Sequence, residues 1–152
     1  MKIIADNKYA FHEYQILEKY IAGIVLSGDE IKSVRLKNIN LKDAFAVIKD
    51  GEVFLLNCFI GKYQNAYEKL STKDERSSRK LLFTKKEIRR LIGDISIKGL
   101  TLIPLKAFIN EKGLLKMEIG VAKHKKLFDK RQDIKERDLR REAHRELKNI
   151  GK

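Results

Sequence analysis

The residues best suited to acid–base, nucleophilic or metal chemistry are few and scattered. The three histidines, His12, His124 and His144, are far apart, and two of them lie beside or within a charged C-terminal segment where a rigid site is hard to build. Most carboxylates are interleaved with Lys and Arg, which is typical of a solvated surface, although spacing alone does not exclude a catalytic pair. We therefore predict no catalytic residue, no metal site and no cofactor.

Neither the sequence motifs nor the single cysteine indicates an active site. The chain has no GxxxxGK[ST] loop, no GxGxxG turn, no GxSxG elbow and no HExxH helix. Cys58 lies in the apolar run VFLLNCFIG, and as the only cysteine it can form neither an internal disulfide nor a cysteine-rich metal site. We predict that it is a small core residue rather than a reactive thiol.

The chemistry that the composition does favour is electrostatic. The 152 residues include 34 Lys and Arg against 21 Asp and Glu, a formal net charge of +13. Such a field attracts polyanions and holds them by releasing their counterions. Soluble domains usually need a net charge of only about 2 to 8 in magnitude. Solubility therefore does not account for the excess, and nucleic acid is the first candidate partner.

A strand and a helix are predicted in the first third of the chain. Residues 14–26 mix aromatic and β-branched side chains and end at Ser27-Gly28, which predicts a strand followed by a turn. Ser27 and Glu30 have the spacing of a capping box, and apolar residues then recur three apart. This predicts a short amphipathic helix over 28–36.

The middle of the chain predicts a hairpin in a closed sheet. Asp50-Gly51 suits the positive φ angles of a tight turn between two strands. Both strands are apolar at nearly every residue, which fits a sheet covered on both faces better than one with a wet face. We therefore expect a small β-barrel.

The rest of the barrel region predicts a loop, a helix and further strands. Residues 62–79 are polar and without a strong period, so we expect a mobile surface loop. RKLLF then predicts a strand, and Thr84 with Glu87 predicts a second capped helix whose apolar face includes Ile92. Two strand-like runs flank a loop at 110–113, and the second run alternates with period two, so one of its faces should be buried.

The chain changes character from Lys123 onward. Its last 30 residues hold 12 Lys or Arg against 6 Asp or Glu, a net charge of +6, and their apolar residues form only a narrow stripe. Such a stripe buries little, so we expect this tail to be disordered alone and helical when bound. The predicted fold class is mainly β with flanking α: an OB-like barrel over 1–122 and a basic tail over 123–152.

Membrane insertion is not expected. No apolar run approaches the roughly 20 residues needed to cross a bilayer, and the N-terminal residues lack a secretory apolar region. We therefore expect a cytoplasmic protein with no membrane partner.

Five separate blocks of the chain form a recognisable pattern: AGIVLSGDEIKSVR, NLKDAFAVIKDGEVFLLNCFI, RKLLFTKKEIRRLIG, GLTLIPL and AKHKKLFDKRQDIKERDLRRE. In order and spacing these blocks resemble the SsrA-binding protein (SmpB) family. The resemblance implies an OB-like barrel that binds the tRNA-like part of transfer-messenger RNA (tmRNA, or SsrA RNA) and acts as an adaptor in the rescue of stalled ribosomes. The implied partners are tmRNA and the ribosome, chiefly its small-subunit RNA.

The resemblance also implies which barrel residues bind RNA. The positions carried over are Asn7, Lys8, Arg79, Lys80, Leu82 and Lys116. The cations would contact phosphates and Asn7 would hydrogen-bond, while Leu82 is either an apolar contact or a core anchor. We add six further candidates for RNA binding: His12, Lys32, Arg35, Lys123, Lys125 and Lys126.

The tail is implied to act on the ribosome. Asp129, Lys130 and Arg131 match the family's DKR motif, which enters the decoding site. The run that follows would form a helix along the empty messenger channel, and its channel-facing candidates are Lys135, Arg137, Arg140 and Arg141. The alternative is that the tail is a nonspecific cationic tether.

The chain departs from the family's pattern at several positions. The family usually has Arg where this chain has Tyr9 and Phe11, and stacking could replace charge there. An acidic residue is frequent at the position of Ile21, a Pro and a second Arg within 74–79, and a Gly at His124. The RNA contacts that the family pattern implies are therefore not carried over to these positions.

Two other classes of protein fit parts of this pattern. A ribosomal protein is often a small basic barrel with a basic tail, and only the motif blocks separate it from an SsrA-binding protein. An enzyme that acts on RNA is the second alternative, and the absence of a recognisable catalytic motif disfavours it.

Overall fold

The computed structural model describes residues 1–63 and 74–125 together with Arg137, Arg140 and Arg141. These residues hold nine strands and three helices. The strands are β1 (Lys2–Asp6), β2 (Tyr14–Ile24), β3 (Ile39–Asn40), β4 (Phe45–Lys49), β5 (Glu52–Leu56), β6 (Phe59–Ile60), β7 (Arg79–Leu82), β8 (Thr101–Ile109) and β9 (Leu115–His124). The helices are α1 (Lys8–Glu13), α2 (Gly28–Arg35) and α3 (Lys85–Ser96).

The main sheet closes on itself. Its strand order is β1-β8-β4-β5-β7-β2-β9, and β9 also pairs with β8, so the hydrogen-bonded pairings form a ring with β1 attached outside it. Neighbouring strands in this sheet are antiparallel. The mainly β, OB-like fold with flanking helices is confirmed.

The local signals for helices and for the hairpin are confirmed. In α2, Glu30 N donates to Ser27 Oγ over 3.3 Å and Ser27 N donates to Glu30 Oε1 over 3.0 Å, which completes the capping box. The same reciprocal pair forms at the start of α3. Asp50 and Gly51 have φ angles of +53° and +74°, as the tight turn between β4 and β5 requires.

The core lies inside the ring of strands. Val53, Leu55 and Leu81 are fully or almost fully buried there, and α3 contributes Leu91 to the same cluster. The alternating residues of β9 face the core, as the period of two predicted. Cys58 is also fully buried in this cluster, so its prediction as a core residue is confirmed.

Several local predictions were incomplete or wrong. β1 and α1 were not predicted, and neither were the two-residue strands β3 and β6. Arg79 was included both at the end of the predicted loop and at the start of the predicted strand RKLLF; the structure confirms the strand, with Arg79 as the buried first residue of β7. Ile92 is 40% exposed, although it was placed on the apolar face of its helix. The predicted mobile loop falls largely on 64–73 and the predicted disordered tail on 126–152. Apart from Arg137, Arg140 and Arg141, these residues lie outside the described part of the chain.

Candidate nucleic-acid interface

Leu82 lies on an open face where three strands meet. Gly23 of β2 pairs with Leu82 of β7 on one side and with Lys116 of β9 on the other. Cross-strand partners share a face of the sheet, so these three residues form a row across about 10 Å. Leu82 is 51% exposed, which shows that it is not a core anchor. The core alternative is therefore wrong, and the apolar contact of Leu82 with RNA stays a prediction.

Gly23 lets the Leu82 side chain lie close to the backbone of β2. A Cβ at Gly23 would stand 3.3 Å from Leu82 Cδ1, tighter than ordinary van der Waals contact. The glycine therefore leaves a shallow apolar surface, flanked by a lysine, on which the face of a base or ribose could rest.

The strand β7 separates its two cations onto opposite faces. Side chains alternate along a strand, so Lys80 shares the outer face with Leu82 while Arg79 and Leu81 point inward. Lys80 pairs with Glu52 at 2.9 Å, and both side chains remain partly exposed. Such an exposed pair is worth at most about 1 kcal/mol, so a phosphate can compete for the lysine.

Arg79 is committed to protein partners. Its Nε donates to Glu30 Oε2 over 2.6 Å, its Nη1 to the Cys58 carbonyl over 2.6 Å and its Nη2 to the Glu75 carbonyl over 3.0 Å. These bonds tie β7 to α2 and to the segments on either side of residues 64–73. In this structure the guanidinium is buried beneath the surface that carries Lys80. Its predicted RNA contact stays a prediction.

Asn7 also uses its side chain inside the protein. Its Nδ2 donates to the Pro104 carbonyl over 2.8 Å and to the Leu41 carbonyl over 3.4 Å, and its backbone N donates to the Leu105 carbonyl. These bonds fix the junction of β1 and α1 against β8. The structure thus gives Asn7 a positioning role, and its RNA contact remains a prediction.

Helix α1 presents cations and aromatic rings together. Lys8 is exposed at its first position, and His12 is half-buried with its ring 6.4 Å from that of Tyr9. Tyr9 and Phe11 are 49% and 45% exposed. Lysines lie over both rings, Lys42 at 5.6 Å from the Tyr9 centroid and Lys19 at 5.8 Å from that of Phe11.

The two cations of α2 are exposed. The Lys32 ammonium lies 5.4 Å from the centroid of the Tyr63 ring, and Arg35 ends the helix. Lys32 and Arg35 do not belong to the row of Leu82, Gly23 and Lys116, because that row lies on β7, β2 and β9.

The start of the basic tail is anchored on α1. Lys123 is an exposed residue of β9, which runs to His124, two residues beyond the predicted end of the barrel. Lys125 donates its backbone N to the Glu13 carbonyl over 3.0 Å and its Nζ to the Phe11 carbonyl over 3.0 Å. Lys126 lies outside the described residues. The chain therefore leaves the barrel beside the aromatic residues of α1.

The buried thiol is poorly suited to nucleophilic chemistry. Burial raises the pKa of Cys58 to about 11, although the nearby Arg79 and Arg76 partly oppose the shift. Among the described residues, no three His, Cys, Asp or Glu side chains are grouped to hold a metal ion. The described helices include none long and apolar enough to span a membrane.

Comparison with known proteins agrees with the motif blocks. The model of the family described as SmpB protein matches residues 4–149. The chain belongs to the SmpB family. An SsrA-binding protein of Coprothermobacter proteolyticus is 51% identical over 97% of this chain and 98% of its own length. One of Thermosipho melanesiensis is 53% identical over 97% of this chain and 99% of its own.

A solved structure supports the same family fold. A chain in the structure described as "tmRNA-SmpB: a journey to the center of the bacterial ribosome" is 44% identical to this one. The match has a TM-score of 0.66 and covers 81% of this chain and 85% of the other.

The tail residues of this SmpB-family chain are described only in part. Arg137, Arg140 and Arg141 are helical and exposed. The other predicted decoding-site and channel residues, Asp129, Lys130, Arg131 and Lys135, lie outside the described residues. The assignment of the tail to the ribosome remains a prediction.

Sequence reasoning did not find the outer row of β2. Lys19 and Ile21 lie four and two residues before Gly23, respectively, and are both on the exposed face; Ile21 is 52% exposed. The sequence does not show which face of β2 is exposed, because apolar residues occur on both faces of the strand. Ile21 is one of the positions where this chain departs from the family's pattern.

Proposed function

We propose that this protein binds the tRNA-like domain of tmRNA through its barrel and delivers that RNA to stalled ribosomes for trans-translation. Membership of the SmpB family carries the proposal, and the row formed by exposed Leu82 with half-buried Gly23 and Lys116 supplies the surface. An apolar patch beside lysines suits an RNA whose folded loops expose both base faces and phosphates.

The proposed division of labour follows the chain. The barrel, which extends through β9 to His124, binds RNA, and the basic tail that follows it acts on the small subunit. Asp129, Lys130 and Arg131 occupy the decoding site, where no codon is present to pair. The run 134–142 forms a helix in the vacant messenger channel, with its cations facing ribosomal RNA phosphates.

We propose that the protein is an adaptor that works in the cytoplasm, without catalytic activity and without a cofactor. The raised pKa of Cys58 supports the lack of catalytic activity because a neutral buried thiol is a poor nucleophile. Incubation of the protein with labelled tmRNA should leave the RNA neither cleaved nor modified. A labelled product would overturn this part of the proposal.

The proposal is tested by sequencing the RNA that co-purifies with the full-length protein under native conditions. We expect tmRNA to be enriched over ribosomal RNA in the co-purifying RNA, relative to the RNA of the whole lysate. A matched variant, Lys116→Glu, should recover much less tmRNA because it reverses one charge in the row. If the protein recovered only intact small subunits with all their RNA, a ribosomal protein would be the better interpretation.

A further inference from the structure

The exposed face of β2 extends the Leu82 row toward α1. Lys19, Ile21 and Gly23 alternate with inward residues, so they follow one another on the same face. Lys19 stands about 13 Å from Gly23, at roughly 3.3 Å per residue. Its side chain is 55% exposed, and its ammonium points to the Phe11 ring, 5.8 Å from the centroid. One exposed surface therefore runs from Leu82 along β2 to Phe11.

The surroundings of Phe11 are cationic as well as aromatic. Lys125 places its ammonium 3.0 Å from the Phe11 carbonyl, and Lys8 lies three residues earlier on the same helix. Glu118 faces Lys19 at 3.5 Å and also pairs with Lys106, so it moderates the local charge without cancelling it. A single exposed apolar residue needs no explanation, but an exposed ring beside several ammonium groups is suited to polyanionic ligands.

We propose that Phe11 and Lys19 form a second nucleotide-stacking site, which takes one unpaired base of the tRNA-like RNA while Leu82 contacts another part of the same molecule. The inference rests on the proposed function and deepens it. The Phe11 ring offers its free face to the base, and Lys19 polarises the ring and contacts the adjoining phosphate. The continuity of the exposed face from Leu82 to Phe11, together with its positive charge, favours one RNA along the whole surface.

The first test replaces only the ring. Phe11→Leu keeps an apolar side chain but removes the π face, so affinity for the isolated tRNA-like fragment should fall about tenfold. Phe11→Tyr should bind like the parent because it keeps the ring. Ile97→Leu, at a position 85% exposed on the end of α3, is the matched control and should also bind like the parent. Thermal unfolding of each variant verifies that the fold is retained.

The second test separates stacking from charge. Phe11→Leu should leave the salt dependence of binding unchanged because it removes no cation. Lys19→Met should reduce the magnitude of the log–log slope by roughly 0.7 to 0.9, as expected when one phosphate contact is lost. Equal affinities for Phe11→Leu and the parent would overturn the second site while leaving the proposed function intact. A defect seen only with whole ribosomes would overturn it too, because the occupant would then be ribosomal RNA. Failure of the parent itself to bind the fragment would instead overturn the proposed function.

Discussion

Arg79 and Glu30 form a buried ion pair that joins β7 to the start of α2, with Arg79 Nε 2.6 Å from Glu30 Oε2. The arginine side chain is 1% exposed and the glutamate side chain 10%. Glu30 also completes the capping box of α2, so one carboxylate serves both the helix end and the strand. The pair holds in place the strand whose outer face carries Lys80 and Leu82.

Removing the Arg79 side chain should lower the stability of the fold. We expect Arg79→Ala to lower the free energy of unfolding by about 3 to 5 kcal/mol, because it leaves the Glu30 carboxylate without its buried partner. Lys80→Ala is the matched control at the next residue, where the ion pair is exposed and worth less than about 1 kcal/mol. Urea unfolding of both variants measures the difference. Equal unfolding free energies for the two variants would show that the buried pair contributes no more to stability than the exposed pair.

Leu82 should matter for RNA and little for folding. Leu82→Ala removes half-exposed apolar surface, so we expect it to weaken binding of the tRNA-like fragment by about 1 kcal/mol or more while the unfolding midpoint stays near that of the parent. Gly23→Val should weaken binding as well, since its side chain would displace Leu82 from the face of β2. Fluorescence anisotropy with the labelled fragment measures both. Parent-like affinity for both variants would remove this row from the interface.

Cys58 should make stability fall at alkaline pH. Burial raises the folded-state pKa of the thiol from 9.0 to about 11. Between these values the unfolded chain loses the thiol proton while the folded chain retains it, so the unfolded state gains stability as pH rises. Unfolding free energies measured from pH 8 to 11 should therefore fall more steeply for the parent than for Cys58→Ala. Parallel pH profiles for the two proteins would contradict the assigned shift.

The sequence predicted the elements that depend on local signals and missed those that depend on distant partners. The capped helices and the Asp50-Gly51 turn were predicted correctly because their hydrogen bonds and φ angles are set by neighbouring residues. β1 was missed because, within the described part of the chain, it pairs only with β8, about a hundred residues away. Nothing within a short window of sequence reports that contact.

The candidate site was predicted by residue type and only partly by position. Lysines and arginines were placed together as phosphate ligands, yet alternation along β7 buries Arg79 and exposes Lys80. The burial of Arg79 depends on Glu30, which is 49 residues away in the chain. For Leu82 the sequence left two interpretations, and its 51% exposure rules out the core anchor while its RNA contact stays a prediction.

The tail should be dispensable for RNA binding and necessary for rescue. A chain ending at Phe128 retains every strand of the barrel, so its affinity for the tRNA-like fragment should be close to that of the full chain. The double variant Ile134→Pro and Leu139→Pro keeps the net charge but breaks a helix in this run. It should bind the fragment normally and tag slowly. Parent-like tagging by this variant would favour a nonspecific tether.

The most direct measurement is the addition of the tmRNA-encoded tag to a peptide stalled on a message without a stop codon, in a reconstituted translation system. With tmRNA present, tagging should depend on the full-length protein and should be lost with the chain ending at Phe128, although that chain still binds the RNA. Tagging at the same rate with and without the protein would contradict the claim that it delivers tmRNA to stalled ribosomes.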